Sequence, residues 1–471
     1  MSKYPHRQER EEMRELLNQF ENLKAGRSPS FIEEEGFERL IAYYKDKEEF
    51  SSALEAVDYA ANQYPYSGGF LLHKADLFIC LKRYPQALFT LEQAEVIDGT
   101  NMDLYVLKTD AYLALDMPEK AAAVLEVAID YFEGEEKVEL LFELADVYDD
   151  YEDFQKVFDC LKMILENDPE NEEALYKICF WTDFTGRNEE GIILHKRILD
   201  EFPFNELAWF NLGASYQGLK LYEKSIDAYQ YAVAINDKFD YAYRNMGDAY
   251  IKLRKFKEAI EVLSRVLELS RPEAVIYEAI GHCYDKLDNF AQARFYYKKA
   301  SHMNPEDSQM YFKIAATYMN EASWSSAIKN LEVALKMHPG QPEYNLAMGH
   351  CLMETEKFED AIVHMGQVVK ARPKNAKGWT ELLNCMYRAG LHEEGLNYSS
   401  LAFEQTDNKP VFIYFHSAFL FAMGKTQESI SWLEKAITVN PKHIRQFIEL
   451  DPSMLSHPRV AELIARVKKR K

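Results

Sequence analysis

The chain has 471 residues and carries 55 Lys+Arg against 77 Asp+Glu, a formal net charge of −22. That acidic balance argues against a general nucleic-acid binder, which needs a basic face to neutralise phosphates. With 47% hydrophobic and 28% charged residues, and only 19 Gly and 16 Pro, the composition fits a soluble globular chain and excludes a collagen-like or disordered one. Thirty Tyr and 28 Phe stand beside five Trp, so the fold asks for many medium-sized aromatics.

The N-terminal MSKYPHRQEREEMRELL has no apolar h-region and does not read as a secretory signal. Residues 6–24 set Met13, Leu16, Leu17, Phe20 and Leu23 at i, i+3, i+4, i+7 and i+10, which predicts an amphipathic capping helix. From Glu34 a period of 34 takes over. The segment from Glu206 shows Trp209, Leu212, Gly213, Tyr216, Ser225, Tyr229 and Ala232. One period on, the same types return as Tyr243, Met246, Gly247, Tyr250, Ala259, Leu263 and Val266. They come again as Tyr277, Ile280, Gly281, Tyr284, Ala293, Tyr297 and Ala300, closing on Pro305.

Twelve such units begin at Glu34, Gly68, Met102, Val138, Glu172, Glu206, Asp240, Ala274, Ser308, Pro342, Ala376 and Pro410, with a two-residue insertion near Glu135–Glu136. Position 20 is Ala, Gly or Ser in eleven of the twelve; only Val157 departs. Small residues at 8, 20 and 27 let two helices of about 14 residues approach within each unit, and bulky residues at 4, 7, 11 and 24 fill the gap to the next. Pro at 32 ends the second helix. After Pro441 the pattern predicts a helix around Ile444–Leu450, a break at Pro452 and a last helix from about Arg459 to Lys471.

This pattern resembles the tetratricopeptide repeat (TPR) family over most of the chain, and the long cytoplasmic TPR scaffold proteins of bacteria in particular. The resemblance implies an all-α, right-handed superhelical solenoid of about twelve 34-residue helix–turn–helix repeats. Residues 1–33 then form an N-terminal capping helix and linker, 34–443 the twelve repeats, and 444–471 capping helices with a basic tail. Each repeat leaves an apolar face that its neighbour or a cap must cover.

No HExxH, GxGxxG, Walker A, GxSxG or paired CxxC occurs, so no enzymatic activity, cofactor or metal is expected. Cys179, Cys283, Cys351 and Cys385 fall at repeat positions 8 or 10 and read as small core residues. None of the six cysteines sits in a disulfide-like spacing, which points to a reduced, cytoplasmic setting. Asp146–Asp153 lacks the glycine and alternating ligands of an EF-hand loop. His350 and His364 are on different helices.

In the TPR family the first helix of each repeat lines a concave groove, chiefly at positions 2, 5, 6, 9, 12 and 13. Carried over residue by residue, the resemblance implies a partner-binding groove at Phe142, Asp146, Asp149, Tyr176, Phe180, Asp183, Phe210, Asn211, Gln217, Arg244 and Asn245, with Asp150 and Asp248 alongside. Aromatics beside carboxylates suit a segment bearing apolar and basic side chains. Asn211 and Asn245 match the asparagine ladder with which some TPR superhelices grip peptide backbones, but Lys177, Ala279, Lys313, Ala347 and Glu381 stand at that position elsewhere. The family's two-carboxylate clamp is rejected, because position 9 is Asp at 76, 110, 146 and 248 and would repel an acidic C-terminus.

Charge is uneven along the chain. Met102–Asn171 holds about 20 acids against five Lys, whereas Lys442–Lys471 is basic and ends in VKKRK. The basic end favours a helix C-terminus and is the one place where RNA or an anionic membrane surface could touch. The helix VFIYFHSAFLFAMG of the last repeat, about 14 residues interrupted by His416 and Ser417, is too short to span a bilayer. Its aromatics cannot all face the preceding repeat, so the C-terminal helices or a partner must cover the rest. The function expected is protein–protein interaction: an adaptor holding one or more proteins by an extended or helical segment, with no DNA. The alternative is a structural subunit of a larger ribosome- or translocon-associated assembly, anchored partly by Lys468–Lys471.

Overall fold

The computed structural model describes the backbone of residues 5–27 and 31–469, and the side chains of all of these but 5–10, 446 and 466–469. The side chains of the basic tail Lys468–Lys471 therefore lie outside the described residues. Among the described residues the regular elements are 27 α-helices and two short 3-10 turns. Residues 1–242 and 243–471 form two units.

In the first unit, α1 (Pro5–Lys24) precedes six helix pairs. They are α2 (Glu34–Asp46) with α3 (Phe50–Gln63), α4 (Gly68–Cys80) with α5 (Tyr84–Ile97), and α6 (Met102–Leu113) with α7 (Pro118–Ala128). Next come α8 (Gly134–Asp150) with α9 (Phe154–Asn167), α10 (Glu172–Phe184) with α11 (Asn188–Glu201), and α12 (Glu206–Gly218) with α13 (Tyr222–Ile235). The insertion at Glu135–Glu136 is taken up by α8, which starts a turn early and runs for 17 residues. The amphipathic stripe of α1 seats Phe20, wholly buried, against Phe37, Tyr44 and Tyr59 at centroid distances of 5.7–6.5 Å.

The second unit continues the pairing. α14 (Asp240–Lys252) pairs with α15 (Phe256–Leu269), α16 (Ala274–Lys286) with α17 (Phe290–Met303), and α18 (Ser308–Asn320) with α19 (Trp324–Met337). Then come α20 (Pro342–Glu354) with α21 (Phe358–Ala371), α22 (Ala376–Arg388) with α23 (His392–Gln405), and α24 (Val411–Ala422) with α25 (Thr426–Val439). The chain finishes with α26 (Ile444–Leu450) and α27 (Pro458–Lys469). These helices and the 3-10 turn between them (Pro452–Ser456) bring Phe447, Met454, Val460 and Ile464 into one core with Ile413, Tyr414 and Ala418 of α24.

Three local devices make each pair. The first helix (A) stops because position 15 takes a left-handed backbone in all twelve repeats, with φ between 54° and 77°. The next amide then reaches back five residues to a helical carbonyl, as from Arg83 to Phe78 (2.7 Å) and Asp153 to Tyr148 (2.9 Å), a Schellman closure. Only Gly186, Gly390 and Gly424 adopt this conformation without a side-chain penalty; the other nine are non-glycine.

Second, position 20 is sealed between the helices. Ala53, Ala87, Ala121, Ala259, Ala293, Ala327 and Ala361 are all fully buried. Position 8 leaves room for position 24, and a Cβ at Gly213 would stand 2.6 Å from the Tyr229 ring. Third, in three repeats the side chain at position 4 ties its repeat to the one before. The indoles of Trp209 and Trp379 and the amide of Asn345 donate to the carbonyls of Pro203, Pro373 and Pro339 at 2.7–2.9 Å. The proline that ends one repeat thus also supplies the acceptor that docks the next.

Candidate protein-binding face

The candidate residues sit mostly on A helices of the first unit, and α10 organises them. Asn171 caps it through the Ala174 amide, and Glu172 and Glu173 in its first turn suit the positive helix end. Ala174, Leu175, Ile178 and Thr182 face inward. The opposite stripe carries Tyr176, Phe180 and Phe184 at i, i+4 and i+8, exposed by 62%, 59% and 57%. Asp183 is exposed beside them.

Phe180 and Phe184 belong to a cluster of rings. Phe180 stacks on Phe184 with centroids 5.6 Å apart. Trp181 meets both edge-on at 4.9 and 5.6 Å, and Phe154 of α9 stacks on Trp181 at 5.4 Å and abuts Phe184 at 5.0 Å. Phe154, Trp181 and Phe184 are absent from the groove list of the sequence reading. The signal for Phe184 was available, since it falls at groove position 13.

Next to this cluster, Phe142 of α8 is half-buried and Asp146, Asp149 and Asp150 are exposed. Lys177 of α10 reaches across to them. Its ammonium lies 5.0 Å from the Phe142 ring centroid, 2.8 Å from Glu173 and 3.9 Å from Asp146. Partial burial works against that charge, but the bond to Glu173 and the fields of Asp146 and Asp149 outweigh it and raise the lysine pKa. The surface therefore already holds one cation over an aromatic ring between carboxylates.

The carboxylates also press on one another. Glu143 is pushed above the usual carboxylate range by desolvation and then by Asp110, Asp146 and Glu139. Asp110 is raised by desolvation and then by Asp76.

Other candidates are spent on the scaffold. Asn211 is 2% exposed, and its amide donates to the Leu175 carbonyl at 2.7 Å. The expectation that it grips a partner's backbone is corrected, because the asparagine already grips the backbone of α10. Phe210 is half-buried against Tyr229 (5.6 Å) and Phe239 (5.0 Å). Gln217 accepts a bond from the Tyr229 hydroxyl at 3.1 Å. In the second unit, Arg244 is forked onto Glu273 at 2.6 and 3.0 Å, and Asn245 is half-buried. Phe142, Asp146, Asp149, Tyr176, Phe180 and Asp183 thus come together on neighbouring helices α8 and α10, whereas Phe210, Asn211, Gln217 and Arg244 serve internal contacts.

Cys80 is exposed, whereas Cys160, Cys283, Cys351 and Cys385 are buried and Cys179 is partly buried. Burial pushes the thiols of Cys160, Cys179, Cys283 and Cys351 up to about 12, and that of Cys385 to about 11. Among the described residues no helix is long and apolar enough to cross a membrane.

Stacked helix pairs of this length define an α-helical repeat protein. Family models of the tetratricopeptide repeat match residues 318–384 and 413–443. The model described as the tetratricopeptide repeat protein 21 C-terminal ARM domain matches 217–347. Residues 318–384 and 413–443 thus match tetratricopeptide repeats. A search of curated proteins finds no match.

Solved structures similar to it include the C-terminal part of a TPR repeat-containing protein from Cytophaga hutchinsonii (14% identity, 54% of this chain, 99% of that chain, TM-score 0.42). A second is the Cut9–Hcn1 hetero-tetramer of APC/C (10%, 83% and 97%, TM-score 0.36). A third is YrrB, described as a TPR protein with an unusual peptide-binding site (17%, 39% and 95%, TM-score 0.35). These TM-scores lie below 0.5, and the residue roles given above rest on this chain's own geometry.

Proposed function

We propose that this chain is a non-catalytic cytoplasmic scaffold that seats a partner segment on the A-helix face of its first unit. The observation that carries the reading is the stripe of Tyr176, Phe180 and Phe184, three aromatics more than half exposed on one helix and rimmed by Asp146, Asp149, Asp150 and Asp183. Large rings left in water are costly unless something covers them, and such anchors dominate the energetics of protein interfaces. The carboxylates around them favour a segment with basic side chains. Lys177 on Phe142 shows the geometry that such a side chain would find.

Crosslinked capture from native lysate, with mass spectrometry mapping the contact points, tests the proposal. One protein crosslinked at Lys177 and at neighbouring lysines of α8–α11, through a basic and apolar stretch, is the expected result. Crosslinks from several subunits of one assembly that avoid this face would replace the reading with that of a structural subunit.

A further inference from the structure

The fifth repeat, α10 with α11, departs from the packing rule directly behind its aromatic stripe. Position 24 is apolar or Tyr in ten of the twelve repeats, and position 11 is a large aromatic or aliphatic residue in eleven. In the fifth repeat they are His195 and Thr182. Both are buried, His195 with no solvent contact at all. α10 also packs more closely on α9 and α12 than on α11, its partner in the repeat.

Both ring nitrogens of His195 are sealed from water and have no hydrogen-bond partner among the described residues. Gly191, one turn earlier on α11, lies against Thr182 and Ser215, since a Cβ there would stand 2.8 and 2.7 Å from them. Their hydroxyls are spent on their own helices. Thr182 donates to the Ile178 carbonyl at 2.7 Å and Ser215 to that of Asn211 at 2.8 Å. Ser399, the other polar residue at position 24, shows the contrast: its hydroxyl donates to Leu396 at 2.7 Å and meets Nδ1 of His416 at 2.9 Å.

No charged neighbour answers the ring. Cys179 stands opposite it on α10, because position 8 meets position 24 across a repeat, as Gly213 meets Tyr229 and Gly281 meets Tyr297. That thiol is neutral, pushed up to about 12 by burial and then by Asp183. Lys177 and Asp183 of α10 belong to its A face. From α12, Tyr216 turns to Lys196, whose ammonium lies 5.9 Å from its ring centroid. From α9, Asp159 and Lys162 are tied to Arg187 and Glu190 at 2.7 and 3.5 Å. Burial alone acts on the imidazole and pushes its pKa from 6.5 down to about 3.

We infer that His195 makes the fifth repeat an acid-sensitive latch: the neutral ring lets α11 close on α10 and α12, and its protonation opens them. An imidazolium sealed there would have neither a counter-charge nor an acceptor. In a locally open repeat, water hydrates it. The closed form excludes a proton that the open form accepts below about pH 6.5. Closure is therefore fully favoured above that value and is lost as pH falls. Because α10 presents Tyr176, Phe180 and Phe184, opening also undoes the partner surface. That consequence rests on the function proposed above; the opening itself does not.

Hydrogen exchange, read by mass spectrometry on peptides of α10 and α11 in the full chain, tests the latch without any partner. His195→Leu supplies the residue that Leu161 and Leu331 place at this position. His195→Gln keeps a polar, non-titrating side chain should Leu not fit. Dividing the parent's exchange rate by each variant's at the same pH cancels the intrinsic pH dependence of exchange. That ratio should rise roughly 20-fold between about pH 7 and about pH 5, the linkage of one histidine proton. It should stay flat in α20 and α21. An unchanged ratio in α10 and α11 with both variants would overturn the latch. So would an equal rise in α20 and α21, which would mark global unfolding in place of a local opening.

Discussion

Helices α10 and α24 are both first helices of a repeat, and both are crowded with aromatics. In α24, Phe412, Tyr414, Phe415 and Phe419 are each no more than 1% exposed, because α22 and α23 close one side and the C-terminal helices the other. In α10, Phe180 and Phe184 meet only each other, Trp181 and Phe154, and they and Tyr176 keep more than half their surface. Aromatic content alone does not mark a binding site. What marks it is an aromatic stripe that the fold has no further element to cover.

The largest test of that contrast is stability. Phe419→Ala should cost about 3–5 kcal/mol in urea unfolding of the second unit, since its ring meets Tyr387 at 5.5 Å with no solvent contact. Phe180→Ala should stay within about 0.5 kcal/mol of the parent. Comparable losses at the two sites would erase the contrast.

A smaller effect probes the same packing from the other side. A Cβ at Gly395 would sit 2.3 Å from the Phe419 ring, so Gly395→Ala should destabilise by about 1–3 kcal/mol through overpacking. The turn both helices share offers a third test. Ala322 holds φ at 54°, so Ala322→Gly should raise stability by roughly 0.5–1 kcal/mol, read as a higher urea midpoint.

The last effect concerns pH and separates the acidic A face from α24, which has no carboxylates. Asp110 and Glu143 have folded pKa values above their unfolded ones, so at these two positions the folded state binds more protons than the unfolded chain in the carboxylate range. Their contribution to stability is therefore most favourable below the unfolded pKa and declines as pH rises through the raised values. A basic ligand stabilises the ionised forms, so its affinity should rise over the same interval. Titrating Asp110→Asn and Glu143→Gln variants should show a flatter pH dependence of both; an unchanged slope would remove these groups from the account.

The fold was largely legible in the sequence, because a 34-residue repeat states the same packing rule twelve times. Ala at position 20 and Gly or another small residue at position 8 can be read without coordinates. The left-handed residue at position 15 could not, since Glu48, Lys82 and Ala322 share no side-chain chemistry and their conformation is imposed by the Schellman closure.

The candidate site was legible in part. Tyr176, Phe180 and Asp183 follow from the groove positions that the resemblance to TPR proteins implies. Asn211 misled because a side chain at a groove position can turn sideways to its neighbour's carbonyl, a choice set by packing and not by period.

The most direct measurement is the affinity of the captured partner for the parent chain and for a Tyr176→Ala, Phe180→Ala, Phe184→Ala variant. The account predicts a loss of about tenfold or more with the circular dichroism spectrum and urea midpoint unchanged. Undiminished affinity in that folded variant would contradict it.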